Sequence, residues 1–139
     1  MITKLESKQV RAFTLLESLL TLLIVSFLVL NLSGQVTTVF EKVQEQLFFL
    51  SFEHLYRDSQ RLSATQRKPI RLQLSAKQIS NGYTHLTIPE GIQLMEEKTL
   101  DFDSKGGNSS LSKIRFVTDH QKVTYQLYMG SGNYQKKTD

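Results

Sequence analysis

The chain has 139 residues, 40% hydrophobic and 22% charged, which allows one ordinary domain and argues against disorder. It contains no cysteine, which rules out a disulfide scaffold, a thiolate zinc site and a cysteine nucleophile, and its 7 Gly and 2 Pro exclude collagen-like or proline-rich chains. The 17 Lys and Arg against 13 Asp and Glu leave a net charge of +4, which points to nucleic acid or an anionic membrane only if the charge lies on one surface and the whole chain is retained.

The averages hide a segregation. Lys4, Lys8 and Arg11 stand against a single Glu6 at the start of the chain, and after Glu17 no charge occurs until Glu41. A helix needs roughly 20 apolar residues to cross a hydrocarbon core, and the charge-free stretch at residues 18–40 exceeds that. It predicts one membrane-spanning or membrane-inserting helix, its transmembrane part at about residues 13–35. The basic residues before it keep the N-terminus cytoplasmic, so the C-terminal bulk is expected outside the cell membrane. A cleavable secretory signal fits less well, because a cut after Gly34 would place Leu32 where a small residue is wanted.

The helical pattern continues past the membrane. Val36, Val39, Phe40, Val43, Leu47 and Leu50 recur at intervals of three and four, and Phe48, Phe52, Leu55 and Leu62 form a second stripe beside them. The predicted polar face carries Glu41, Lys42, Gln44, Glu45, Gln46, Glu53, Arg57 and Asp58. The spacing predicts one helix over residues 13–64, about 75 Å long at 1.5 Å per residue. Gly34 is its weak point, costing about 1 kcal/mol relative to Ala in a helix interior.

After Lys68-Pro69 the period changes to two. Ile70, Leu72 and Leu74 alternate with Arg71, Gln73 and Ser75, the pattern of a strand with one buried face. Asn81-Gly82 predicts a hairpin turn into a returning strand at residues 84–88, and Pro89-Glu90-Gly91 predicts another turn. Residues 92–94, 100–102, 114–117 and 123–129 supply further strands, with Asp119-His120-Gln121 closing the last hairpin. Lys136 and Lys137 are expected in a frayed tail. No βαβ alternation is present, so residues 65–139 are expected to form a small antiparallel sheet packed on the apolar helix face, an α+β fold.

The informative junction is Lys8-Gln9-Val10-Arg11-Ala12-Phe13-Thr14-Leu15-Leu16-Glu17-Ser18-Leu19-Leu20. Glu17 stands out on physical grounds, since a carboxylate at the edge of an apolar helix costs up to about 2.5–3.5 kcal/mol on insertion scales unless it is paired. The junction resembles the processing site of type IV prepilins and pseudopilins: a short basic leader, a small residue before the scissile bond, Phe after it, Thr-Leu, a Glu five residues into the mature chain, then a long apolar helix. The resemblance implies a leader at residues 1–12, cleavage by a prepilin peptidase between Ala12 and Phe13, and an N-methylated mature terminus at Phe13. Ala12 departs from the commoner Gly but is still small. Glu17 would pair with the terminus of a neighbouring subunit and set register during assembly, while Leu19, Leu22, Leu23, Phe27 and Leu30 would pack against neighbouring helices. Major pilins of that family often carry a helix-breaking Pro near the position of Gly34, which raises the expectation of local melting there.

Further stretches, among them Ile79-Ser80-Asn81-Gly82, Pro89-Glu90-Gly91-Ile92, Gly106-Gly107-Asn108-Ser109-Ser110-Leu111 and Tyr125-Gln126-Leu127-Tyr128, resemble the minor pseudopilins of competence pili in Gram-positive cocci. The likeness extends over residues 12–132. It implies a non-enzymatic subunit of the pilus that takes up DNA in natural transformation. The implied partners are the major competence pilin, other minor pseudopilins, the prepilin peptidase, the membrane assembly platform and its ATPase, with extracellular DNA as a further candidate. A general-secretion pseudopilin shares every motif, and a single-pass anchored surface-binding domain is the alternative from another class.

No other constellation carries chemistry. His54, His85 and His120 lack metal-like spacing. Asp101-Phe102-Asp103-Ser104-Lys105-Gly106 opens like a calcium loop, but Lys105 and Ser112 occupy ligand positions, which favours a Gly-rich turn. Gly130-Ser131-Gly132 has no helix after it to bind phosphate. No nucleophile with a matching base is visible, and no cofactor or metal is expected. Arg57, Arg61, Arg67, Lys68 and Arg71 form the one cluster considered for DNA contact, weighed against a solvated helix end whose cations favour the C-terminal dipole. Loss of residues 1–12 would remove Lys4, Lys8, Arg11 and Glu6 and so halve the net charge.

Overall fold

The computed structural model describes the backbone of residues 2–108 and 112–139, with side chains from Ala12 onward. The side chains of Lys4, Lys8 and Arg11, and residues Ser109, Ser110 and Leu111 of one of the resembling stretches, lie outside the described residues. A single helix, α1 (Ile2–Gln66), begins well before the expected start at Phe13. The segment ahead of Phe13 contains no Gly or Pro, and its Lys, Leu, Glu, Gln and Arg side chains lose little freedom in a helix, so nothing there stops propagation. The helix also passes through Gly34 unbroken, and Thr37 and Thr38 return their hydroxyls to the carbonyls of Ser33 and Gly34 at 3.0 and 3.2 Å. It ends where Arg67 turns left-handed (φ 52°) and the Lys68 N–H donates to the Ser63 carbonyl at 3.2 Å, the six-to-one bond of a Schellman cap, with Pro69 next in the chain.

The chain divides into two compact units, Met1–Glu41 and Lys42–Asp139. In the second unit β1 (Ile70–Leu74), β2 (Gln78–Ser80), β3 (His85–Thr87) and β5 (Lys98–Phe102) form one antiparallel sheet in the order β3-β2-β1-β5. A second sheet runs β4-β6-β7-β8, from β4 (Ile92–Leu94), β6 (Lys113–Thr118), β7 (Lys122–Leu127) and β8 (Tyr134–Thr138). The expected single sheet is therefore two. The first crossing falls at the Pro89 turn, where Pro89 has no N–H to extend the β3 ladder and Gly91 adopts φ 90°; the chain contributes β4 to the other sheet, returns to the first for β5 and crosses again to β6.

Two expectations about the C-terminal part change. β7 ends at Leu127 rather than Met129, and the tail expected to fray is β8, in register with β7 from Val123↔Thr138 to Leu127↔Tyr134. Lys136 is held from below as well, 3.3 Å from Glu53 and 5.6 Å from the centroid of the Phe49 ring.

Both sheets are packed on one face of α1. Phe48, Phe49, Phe52, Leu55 and Tyr56 are buried, and the predicted companion stripe is not: Val43, Leu47 and Leu50 stay 45–57% exposed. Phe116 of β6 meets Phe48, Phe49 and Phe52 edge to face, with centroids at 5.5, 5.7 and 5.2 Å. Phe52 also reaches Tyr125, and Tyr56 lies between Phe102 of one sheet and Tyr134 of the other. Pairs of this kind add about 0.5–1.5 kcal/mol each beyond the area they bury. Near the end of the helix, the Tyr56 hydroxyl donates to the Gly132 carbonyl at 3.0 Å. A Cβ at Gly132 would lie 2.7 Å from the Gly106 carbonyl oxygen, so this turn crossing admits only glycine.

Removing the Phe116 ring leaves three helix rings facing a cavity, and Phe116→Ala is expected to cost about 3–5 kcal/mol, read as a lowered midpoint of urea unfolding. A pH test addresses Tyr56. Burial raises its pKa from 10.0 to about 12, opposed by a hydrogen bond with the Asn108 side chain and reinforced by Tyr134. The folded phenol holds its proton longer than the unfolded one, so its contribution is complete below pH 10.0 and is lost as pH rises toward 12. Burial shifts Tyr125 in the same direction. Stability is thus expected to be insensitive to these groups below pH 10.0 and to fall above it, with a shallower fall in Tyr56→Phe.

Candidate functional site

In the Met1–Glu41 unit the helix from Ala12 to Phe40 is exposed throughout and carries apolar side chains on all sides. Its most apolar 18-residue window has a mean hydropathy of 2.4, and none of that window is buried within the chain. Phe13 is 73% exposed, and Leu19, Leu22, Leu23, Phe27 and Leu30 are each more than 60% exposed. At about 100° per residue those five occupy an arc of roughly 140°, while Glu17 lies about 160° from Leu19, on the other side of the helix. Ala12 and Phe13 both lie within α1 with exposed side chains.

Several short polar side chains of this stretch turn back on the helix. Ser18 donates to the Thr14 carbonyl, Thr21 to Glu17 and Asn31 to Phe27, each at 2.8 Å, and Ser33 donates to Leu30 at 2.9 Å. Hydroxyl and amide groups satisfied this way need no water, which suits a hydrocarbon surrounding. The Glu17 carboxylate forms no ion pair among the described residues.

In the Lys42–Asp139 unit the outward helix face starts apolar at Val43, Leu47 and Leu50 and becomes polar at His54, Arg57 and Arg61, all exposed. The structure does not gather the five basic candidates on one face. Arg57 and Arg61 lie one turn apart on the helix, Arg57 hydrogen-bonded to Tyr134, whose pKa burial raises and Arg57 lowers. Arg67 and Lys68 are exposed at the helix end. Arg71 is on the face of β1 turned away from the core, paired with Asp101 at 2.9 Å.

Asp103 occupies the Gly-rich turn expected from its sequence, its carboxylate accepting the N–H groups of Lys105 and Gly107 at 2.9 and 2.8 Å. Two groupings escaped sequence reasoning. Glu45, expected on the polar face, is only 7% exposed: its carboxylate is 2.9 Å from Nδ1 of His120 and 3.2 Å from the Thr118 hydroxyl. The turn between β6 and β7 thereby clamps onto the helix. Helical spacing alone could have found the position, since Glu45 precedes Phe48 and Phe52 by three and seven residues, but its residue type pointed outward. The second grouping is a basic surface on the outer face of the β4-β6-β7-β8 sheet. Lys113 and Arg115 alternate with buried Ile114 and Phe116, a signal legible in sequence, whereas Lys122 and Lys137 join them only through strand pairing.

No family model matches the chain, and no solved structure matches it. The chain is similar to the competence protein ComGD of Streptococcus pneumoniae (strain ATCC BAA-255 / R6), with 46% identity over 127 residues, covering 91% of this chain and 79% of that protein.

The hairpin clamp has a measurable consequence. Glu45→Ala leaves Thr118 and His120 without their carboxylate and is expected to cost about 1–3 kcal/mol. The readouts are the urea unfolding midpoint and faster amide exchange in the turn at residues 118–121; unchanged values would remove the clamp from the stability of the unit.

Proposed function

The chain belongs to the ComGD family of competence proteins, and from that premise we propose that it is a minor pseudopilin of a competence type IV pilus, a structural subunit needed for DNA uptake in natural transformation. The observation that carries the mechanism is the helix of residues 12–40, with apolar side chains on every side, buried nowhere within its own chain and bearing one carboxylate, Glu17, near its start. A surface of that kind is stable in lipid or among other helices and nowhere else. The N-terminus lies in the cytoplasm, the sheet unit outside, and the helix holds the subunit in the cell membrane until assembly.

A prepilin peptidase cuts between Ala12 and Phe13. The cut discards Lys4, Lys8, Arg11 and Glu6 and creates a new α-amino group at Phe13, which is then N-methylated. Glu17 is the counter-charge for the terminus of a neighbouring subunit, and burial of that pair in a low-dielectric bundle penalises every register that leaves either charge alone. Leu19, Leu22, Leu23, Phe27 and Leu30 occupy a different arc from Glu17, as suits a helix with neighbours on more than one side. Those neighbours are the major competence pilin and other minor pseudopilins, brought together by the membrane assembly platform and its ATPase.

Mass spectrometry of the membrane-extracted protein is expected to find a methylated N-terminus at Phe13; an intact leader or a cut after Gly34 would overturn the proposal. Glu17→Val is expected to be cleaved normally and to enter pili poorly, measured by immunoblotting sheared pilus fractions. Wild-type incorporation of that variant would remove Glu17 from assembly.

A further inference from the structure

We propose that the outer face of the β4-β6-β7-β8 sheet binds the phosphate backbone of duplex DNA. The inference rests on the competence reading and names a partner for this subunit.

The residues come from three strands. Along β6, Lys113 and Arg115 point away from the core, because Ile114 and Phe116 between and beside them are buried. The same alternation in β7 turns Lys122 and Thr124 outward, since Val123 and Tyr125 are buried. Register then sets the rows: Arg115 pairs with Thr124 and Thr124 with Lys137, while Val117 pairs with Lys122. Neighbouring strands are about 4.8 Å apart and residues two apart on a strand about 6.8 Å, so the four cations occupy a field of roughly 10 by 14 Å. It surrounds a shallow depression of about 340 Å³, in which Asp139 is the single acidic lining residue.

The cations are available. Ion pairs among the described residues engage Arg71, Lys98, His120 and Lys136, and none of them takes Lys113, Arg115, Lys122 or Lys137. Glu96 is close by but holds Lys98 at 3.5 Å. The five-residue cluster on the helix and β1 lacks this property, since its members face different ways and Arg71 is already neutralised by Asp101.

Charge complementarity selects the occupant. A duplex carries about one phosphate charge per 1.7 Å of axis, so a 14 Å footprint presents on the order of eight, more than enough for four cations on a flat, open face. The depression among the four cations is lined by no exposed aromatic side chain, Phe116 being 0% exposed beneath it, and the one exposed ring on the face, Tyr128, is tied to Gln135 at 2.8 Å, so the face offers no run of rings on which successive bases of a single strand could stack. Contact limited to the backbone is indifferent to sequence, as uptake of arbitrary DNA requires.

The test uses the full-length protein in detergent and a fluorescently labelled duplex of random sequence, followed by anisotropy over a range of salt concentrations. Combined Lys113→Gln, Arg115→Gln, Lys122→Gln and Lys137→Gln is expected to weaken binding at least tenfold and to lower the salt-dependence slope by about 3–4, at roughly 0.9 per lost phosphate contact. Combined Lys113→Arg, Lys122→Arg and Lys137→Arg is expected to bind as the wild type does, which separates lost charge from lost folding. Arg57→Gln with Arg61→Gln is expected to stay within twofold. Wild-type affinity in the Gln variant would overturn the proposal, as would equal displacement of the duplex by poly-glutamate, which marks a site for an acidic polypeptide. Absence of binding by the wild-type protein would also overturn it. A deletion strain that transforms normally would instead sink the competence reading, so the two failures are distinguishable.

Discussion

The sheet unit depends on one contact, the face of α1 from Glu45 to Ser63 laid against two sheets. The sheets share no strand and the chain has no cysteine; apart from a few direct bonds such as that of the Lys98 ammonium to the Lys113 carbonyl, the helix side chains between them supply the joint. Phe52 packs on the β6–β7 side, and Tyr56 touches both sheets through Phe102 and Tyr134. Farther along, small residues let backbone and side chains approach: Ser59 and Ser63 are fully buried, and Ser59 takes a hydrogen bond from Asn81 at 3.0 Å, tying the β2–β3 hairpin to the helix. A sheet domain of this size cannot bury enough apolar surface by itself. Its core is completed by the segment that, farther back in the same helix, is built for a membrane.

That continuity gives one helix two different kinds of surface. Between Ala12 and Phe40 several hydroxyls bond back to their own helix, leaving a largely apolar surface on which Glu17 is the one charged side chain. From Lys42 onward one face is buried and the opposite face carries first apolar and then basic side chains. Val36, Val39 and Phe40 in the first unit, and Val43, Leu47 and Leu50 in the second, are all left exposed by the chain itself. Their burial requires other molecules, and the assembly proposed for this subunit is what would supply them.

Much of the fold was legible in consecutive residues. The alternation of Ile70, Leu72 and Leu74 reappears as a strand with the burial pattern expected of it, and Asn81-Gly82 closes the hairpin between β2 and β3, its Asn81 carboxamide oxygen accepting two turn N–H groups at 2.9 and 2.8 Å. β8 was not legible, because Tyr134-Gln135-Lys136-Lys137-Thr138 has one residue facing the core and four in solvent. It is a strand because β7 offers a ladder, not because its own residues alternate. Glu45 was misplaced for a related reason. A carboxylate on an amphipathic helix normally faces water, and only the arrival of Thr118 and His120 from more than 70 positions away makes its burial tolerable.

The sequence by itself determined the membrane-capable helix, the isolated charge of Glu17 and the α+β plan, since each is a matter of composition, spacing or period within a short window. The tertiary structure decided which of two helical stripes is buried, that there are two sheets, and that Lys113, Arg115, Lys122 and Lys137 share a face while the more obvious basic run from Arg57 to Arg71 does not. These outcomes depend on strand register and on contacts between distant segments. A pairing shifted by one residue would turn every one of those side chains to the other side of the sheet, and no local pattern records which register wins.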